Sequence, residues 1–99
     1  MKLPPFYVRR IKHHLFEKLM RTGIQYNFYN SKSLEEFKYK LIKDTLATYI
    51  DIKYEIDIDT LPKEDNDVFI SYMLQQYDPL LTMYYRKFKK DFTDNPKNL

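Results

Sequence analysis

The sequence predicts a mainly α-helical domain with a minor β element. Helical regions are expected at about 5–22, 34–49 and 68–92, and a short strand at about 50–58. Three observations lead there. Apolar residues recur at three- and four-residue spacing in three separate segments, the signature of helices that bury one face. The chain has a single glycine, Gly23, and of its five prolines only Pro79 falls in the interior of one of those segments. Between the second and third segments, ten residues alternate strictly between apolar and charged.

The first helix is expected to open at Pro4-Pro5, because proline is tolerated in a first turn. Val8, Ile11, Leu15 and Leu19 form its core stripe, with Phe16 at the edge. It should stop at Gly23, where a left-handed C-terminal cap would favour glycine. Ile24, Tyr26 and Phe28 then alternate with polar residues, which suits a short strand or an aromatic extended loop over 24–29. Asn30, Ser31 and Ser33 mark a turn.

Ser33 and Glu36 fit a capping box opening the second helix. Leu34, Phe37, Leu41 and Thr45 continue one stripe, with Ile42 and Tyr49 beside it. The alternating stretch follows without Gly or Pro. Read as a strand, Ile50, Ile52, Tyr54, Ile56 and Ile58 share one face, and their β-branched and aromatic character agrees. A continued helix is the rival reading, since Ile52 and Ile56 also fall on its stripe. The strand reading leads, paired either with 24–29 or with the sheet edge of a partner chain. Residues 61–67 read as a polar, proline-marked loop. In the last helical region, Ile70, Met73, Tyr77, Leu81, Tyr84 and Phe88 hold helical spacing through Asp78-Pro79, where proline either kinks the helix or starts a new one. Residues 1–94 are expected to form one domain and 95–99 a frayed tail.

Composition narrows the function classes. No cysteine is present, which excludes disulfides, thiolate zinc and a cysteine nucleophile. One glycine cannot build a glycine-rich phosphate loop. His13, His14 and Glu17 are the nearest approach to a metal cluster. Adjacent histidines diverge by about 100° on a helix, so a solvated basic face is the favoured reading. No apolar run reaches the roughly 18 residues of a membrane span. An organellar presequence is disfavoured at 1–16, which is basic but lacks serine. The chain is therefore expected to be a non-enzymatic intracellular protein without cofactor or metal. Its wealth of Lys, Asn, Ile, Tyr and Phe, residues of AT-rich codons, suits a low-GC bacterium, a phage or an organelle.

Charge is segregated. Residues 1–22 carry six Lys/Arg against one acid, 84–99 carry five against two, and 51–67 carry seven acids against two lysines. Ten tyrosines and seven phenylalanines exceed what so small a core needs, and Tyr and Arg favour interfaces. The leading expectation is an accessory subunit or adaptor that binds protein partners within a larger assembly, with self-association as one form of this. The strand and the aromatic anchors Tyr7, Tyr26, Tyr29 and Tyr85 would make the contacts. The alternative is a nucleic-acid-binding protein. There Arg9, Arg10, His13, Arg21, Arg86, Lys87, Lys89 and Lys90 would neutralise phosphates, and exposed tyrosines would stack on unpaired bases. Peripheral membrane contact by the basic, amphipathic 80–92 segment is a minor third option.

Overall fold

Gly23 is the corner on which the N-terminal half turns. In the computed structural model, which describes residues 9–94 and the side chains of 9–90, it ends helix α1 (His13–Thr22) and begins helix α2 (Ile24–Tyr29). The helix does stop here, but Gly23 is right-handed (φ −94°, ψ −4°) and not a left-handed cap. Its missing side chain serves a close approach. A Cβ would lie 3.2 Å from each of Asn27 Nδ2, Asp44 Oδ2 and Leu41 Cδ1. Asn27, buried, donates to the Gly23 carbonyl (2.8 Å) and to Asp44 (3.2 Å), which ties the corner onto the next helix.

The first helical region is broken at 10–12, ahead of α1. The Lys12 amide is taken by the Tyr49 hydroxyl at 2.8 Å, a tertiary substitute for a side-chain cap. The buried stripe of α1 is Phe16 and Met20, with Leu15 and Leu19 only half-buried. The stripe is thus rotated by one position from the expected one. The expected opening at Pro4-Pro5 and the tail at 95–99 lie outside the described residues.

Residues 24–29 are helical, which corrects the strand or loop expectation. Ile24, Asn27 and Phe28 turn inward at helical spacing, and Tyr26 and Tyr29 turn outward. The alternation of Ile24, Tyr26 and Phe28 was coincidental with that spacing.

Helix α3 (Leu34–Tyr54) begins as its capping box requires. The Glu36 amide donates to Ser33 Oγ at 3.1 Å. The Glu36 carboxylate reaches back one residue further than expected, to the Lys32 amide (3.4 Å). The Lys40 ammonium, bonded at 2.8 Å, and then the Lys32 amide hold that carboxyl below its ordinary range. Phe37, Leu41, Ile42, Thr45, Leu46, Tyr49 and Ile50 are buried along α3.

The expected strand at 50–58 is not formed, and no strand occurs among the described residues. Helix α3 continues to Tyr54 and ends at Glu55, which is left-handed at φ 55° and returns its amide to the Asp51 carbonyl. The five apolar residues do not share a face: Ile50 and Ile58 are core, Tyr54 and Ile56 half-buried, and Ile52 57% exposed. The physical reason is backbone pairing. With 24–29 helical, a strand here would have no internal partner, whereas a helix satisfies its own amides. Beyond Glu55, Asp57 accepts from the Asp59 amide to start a short 3₁₀ turn, Ile58–Thr60.

Helix α4 (Lys63–Asp94) begins five residues earlier than expected and runs unbroken through Pro79. Its 32 residues span about 48 Å. Pro79 and Gln75, whose carbonyl loses its amide partner, both lie on the exposed side, where water can replace the bond. Phe69, Ile70, Met73, Tyr77 and Leu81 complete the core.

Side-chain pairs give the directions. Lys12 and Phe16 meet Tyr49 while Gly23 meets Leu41, so α1 runs antiparallel to α3. Lys38 pairs with Asp78 at 2.6 Å and Phe37 packs on Tyr85, whereas Tyr39 and Lys43 lie near Asp67 and Ile70. Helix α4 is therefore also antiparallel to α3. His13 meets Tyr77 and Arg21 meets Tyr84, so α1 and α4 run in parallel.

Candidate interaction surface

Where α2 crosses the ends of α3 and α4, five aromatic rings gather. Phe28 is the hub. Its ring centroid lies 4.7 Å from Phe88, 5.4 Å from Tyr85, 5.9 Å from Tyr29 and 6.4 Å from Phe37. Tyr29 meets Phe88 edge-on at 5.7 Å, and Phe37 lies 5.4 Å from Tyr85. Such tilted and edge-on contacts suit the ring quadrupoles and rigidify the group. Phe37 is fully buried, Phe28, Tyr85 and Phe88 are half-buried, and Tyr29 is 49% exposed. One turn back on α2, Tyr26 is 68% exposed. The cluster therefore grades from core to surface and ends in two outward tyrosines on a braced helix.

A cation borders it. Lys89 Nζ sits 6.0 Å from the Tyr85 ring centroid, at the limit of a cation–π contact. Three of the expected anchors, Tyr26, Tyr29 and Tyr85, thus belong to one corner, although Tyr85 is half-buried there. Tyr7 lies outside the described residues.

The expected basic surface is divided. Arg9 and Arg10 are exposed ahead of α1, before and at the start of the break at 10–12. His13 is spent on a contact with α4, its Nδ1 lying 2.5 Å from the Tyr77 hydroxyl. Either group can donate in that pair, according to the imidazole tautomer. Burial, then Glu17, then Tyr72 push the Tyr77 phenol up to about 12, so it stays neutral through the physiological range. At the other end of α1, Arg21 Nε donates to the Tyr84 hydroxyl at 3.2 Å. That bond, first among its causes, raises the guanidinium above its ordinary value. Arg86, Lys87 and Lys90 line a shallow groove on the outer face of α4 with Pro79 and Met83, turned away from Lys89 and the aromatic corner.

The strand-edge contact expected of Ile50, Ile52, Tyr54, Ile56 and Ile58 is withdrawn, because Ile50 and Ile58 are core residues. Sequence reasoning missed Phe28 and Phe88 as members of a surface. The signal was available in the Tyr85–Phe88–Lys89 spacing on α4 and the Tyr26–Tyr29 spacing on α2, once 24–29 is read as a helix.

Among the described residues, no three His, Asp or Glu side chains gather to hold a metal ion. No helix there is long and apolar enough to cross a membrane. No protein-family model, curated protein or solved structure matches the chain.

Proposed function

We propose that this chain is a non-catalytic accessory subunit or adaptor, and that it binds a protein partner through the corner formed by Tyr26, Tyr29, Tyr85 and Phe88. One observation carries this reading: Tyr26 and Tyr29 stand 68% and 49% exposed on a short helix whose inner face is locked by Phe28. Rigid, amphipathic rings lose little entropy on binding, which is why tyrosine is enriched among residues that dominate binding energy. Phe88 and the half-buried edge of Tyr85 would supply the apolar centre of the contact. Lys89 would supply part of its polar rim.

A nucleic-acid reading has separate support. Exposed Arg86, Lys87 and Lys90 on α4 can neutralise phosphates, and exposed tyrosines can stack on unpaired bases. One experiment separates the two readings. The tagged full chain is isolated from its native cells with and without nuclease. The adaptor reading expects a stoichiometric protein that survives nuclease and moderate salt. Recovery of RNA or DNA alone, lost steeply as salt rises, would replace it with the alternative.

A further inference from the structure

The outer face of α4 and the far end of α3 carry complementary surfaces that cannot meet within one chain. On α4, Pro79, Met83, Arg86 and Lys90 fall on one stripe, with Lys87 at its edge, and together they line a shallow groove. Met83 is 51% exposed there. Among the described residues, Arg86, Lys87 and Lys90 have no ion-pair partner. The groove's one acid, Asp78, is already bound to Lys38 at 2.6 Å. On α3, Ile52 is 57% exposed, with exposed Asp51, Lys53 and Glu55 around it, two acids against one lysine. Carboxylates complement the dipole at a helix N-terminus and oppose it at a C-terminus. Asp51 and Glu55 lie at the C-terminal end, so the local dipole gives no reason for them. Because α3 and α4 are antiparallel and Phe37 packs beside Tyr85, Ile52 lies fifteen residues, about 22 Å, along α3 from the groove's end of the molecule.

We propose that the α4 groove receives the α3 end of a second copy of this chain. Ile52 of one copy packs on Met83 of the other, and Asp51 and Glu55 meet Arg86, Lys87 and Lys90. Both sides keep their charges within about one helical turn of the apolar residue: Asp51 and Glu55 beside Ile52, and Arg86 and Lys87 beside Met83. Charge complementarity sets the partner and the orientation. This contact is separate from the aromatic corner and leaves that corner open to another protein.

The test is sedimentation velocity on the full chain over a range of concentration and salt, with helicity and melting checked for each variant. Wild type is expected to increase in mean mass with concentration at low salt and to dissociate as salt screens the contact. The groove variant R86E/K90E and the end variant D51K/E55K should each weaken association by at least about tenfold. Mixing the two variants, or joining all four changes in one chain, should restore it, since each acidic surface again faces a basic one. A wild type that stays monomeric throughout overturns the proposal. So does association that neither reversal weakens, or that the combined reversal fails to restore.

Discussion

Two aromatic groups share this scaffold and use their rings in opposite ways. At the α1–α3–α4 junction, Phe16 is fully buried, stacked 5.2 Å from Tyr77 and tilted 6.1 Å from Tyr49. Both tyrosine hydroxyls there are used inside the molecule, one by the Lys12 amide and one by His13. At the α2–α4 corner the inner rings pack just as closely, but the group ends in exposed Tyr26 and Tyr29. Among the described residues the Tyr26 side chain makes no ring contact or hydrogen bond. A tyrosine whose hydroxyl closes an internal bond is part of the fold. Tyr26, held outward on a braced helix, contributes little to the fold, whereas Tyr29 joins the inner rings to the surface through Phe28 and Phe88.

The comparison breaks most readily at Phe16. Phe16→Ala removes the centre of the junction and should cost about 3–5 kcal/mol, read from urea unfolding. A cost near zero would mean that the junction is not the core. Ile50→Ala and Ile52→Ala come next and test the correction at 50–58. The buried Ile50 should cost about 2–5 kcal/mol and the exposed Ile52 about 0.5 kcal/mol or less. Equal costs would return the two to a common strand face.

Tyr77→Phe should cost about 1 kcal/mol at neutral pH by removing the bond to His13. Its pH signature is more specific. The folded phenol titrates near 12, above the roughly 10 of an unfolded tyrosine, so its contribution is complete below pH 10 and is lost as pH rises through 12. Wild type should therefore lose stability over that window, and Tyr77→Phe should lose less. The smallest effect belongs to Tyr26→Ser, within about 0.5 kcal/mol of wild type, although partner binding should fall sharply.

Much of the helical scaffold was legible because it rests on local chemistry. Ser33 and Glu36 announce the start of α3, and Gly23 the end of α1. The stripe Ile70–Met73–Tyr77–Leu81 continues across Pro79 because that ring faces outward. What misled was alternation without a partner. At 50–58 every second residue is apolar, yet strand formation depends on backbone groups elsewhere in the fold, and 24–29 is helical. The site was legible in part. Tyr26, Tyr29 and Tyr85 are recognisable as aromatic surplus, but their meeting with Phe28 and Phe88 depends on α2 being a helix. The division of the basic residues was not readable either, since it needs the parallel pairing of α1 with α4 through His13–Tyr77 and Arg21–Tyr84.

The most direct measurement compares wild type with the Tyr26→Ser/Tyr29→Ser double variant in quantitative co-purification from native cells, after nuclease treatment and with unfolding midpoints matched. The adaptor account predicts that the double variant keeps its helicity and loses at least about tenfold of the partner protein, while Tyr49→Phe, which alters only the internal junction, retains it. Equal partner recovery by the double variant and wild type would contradict the account.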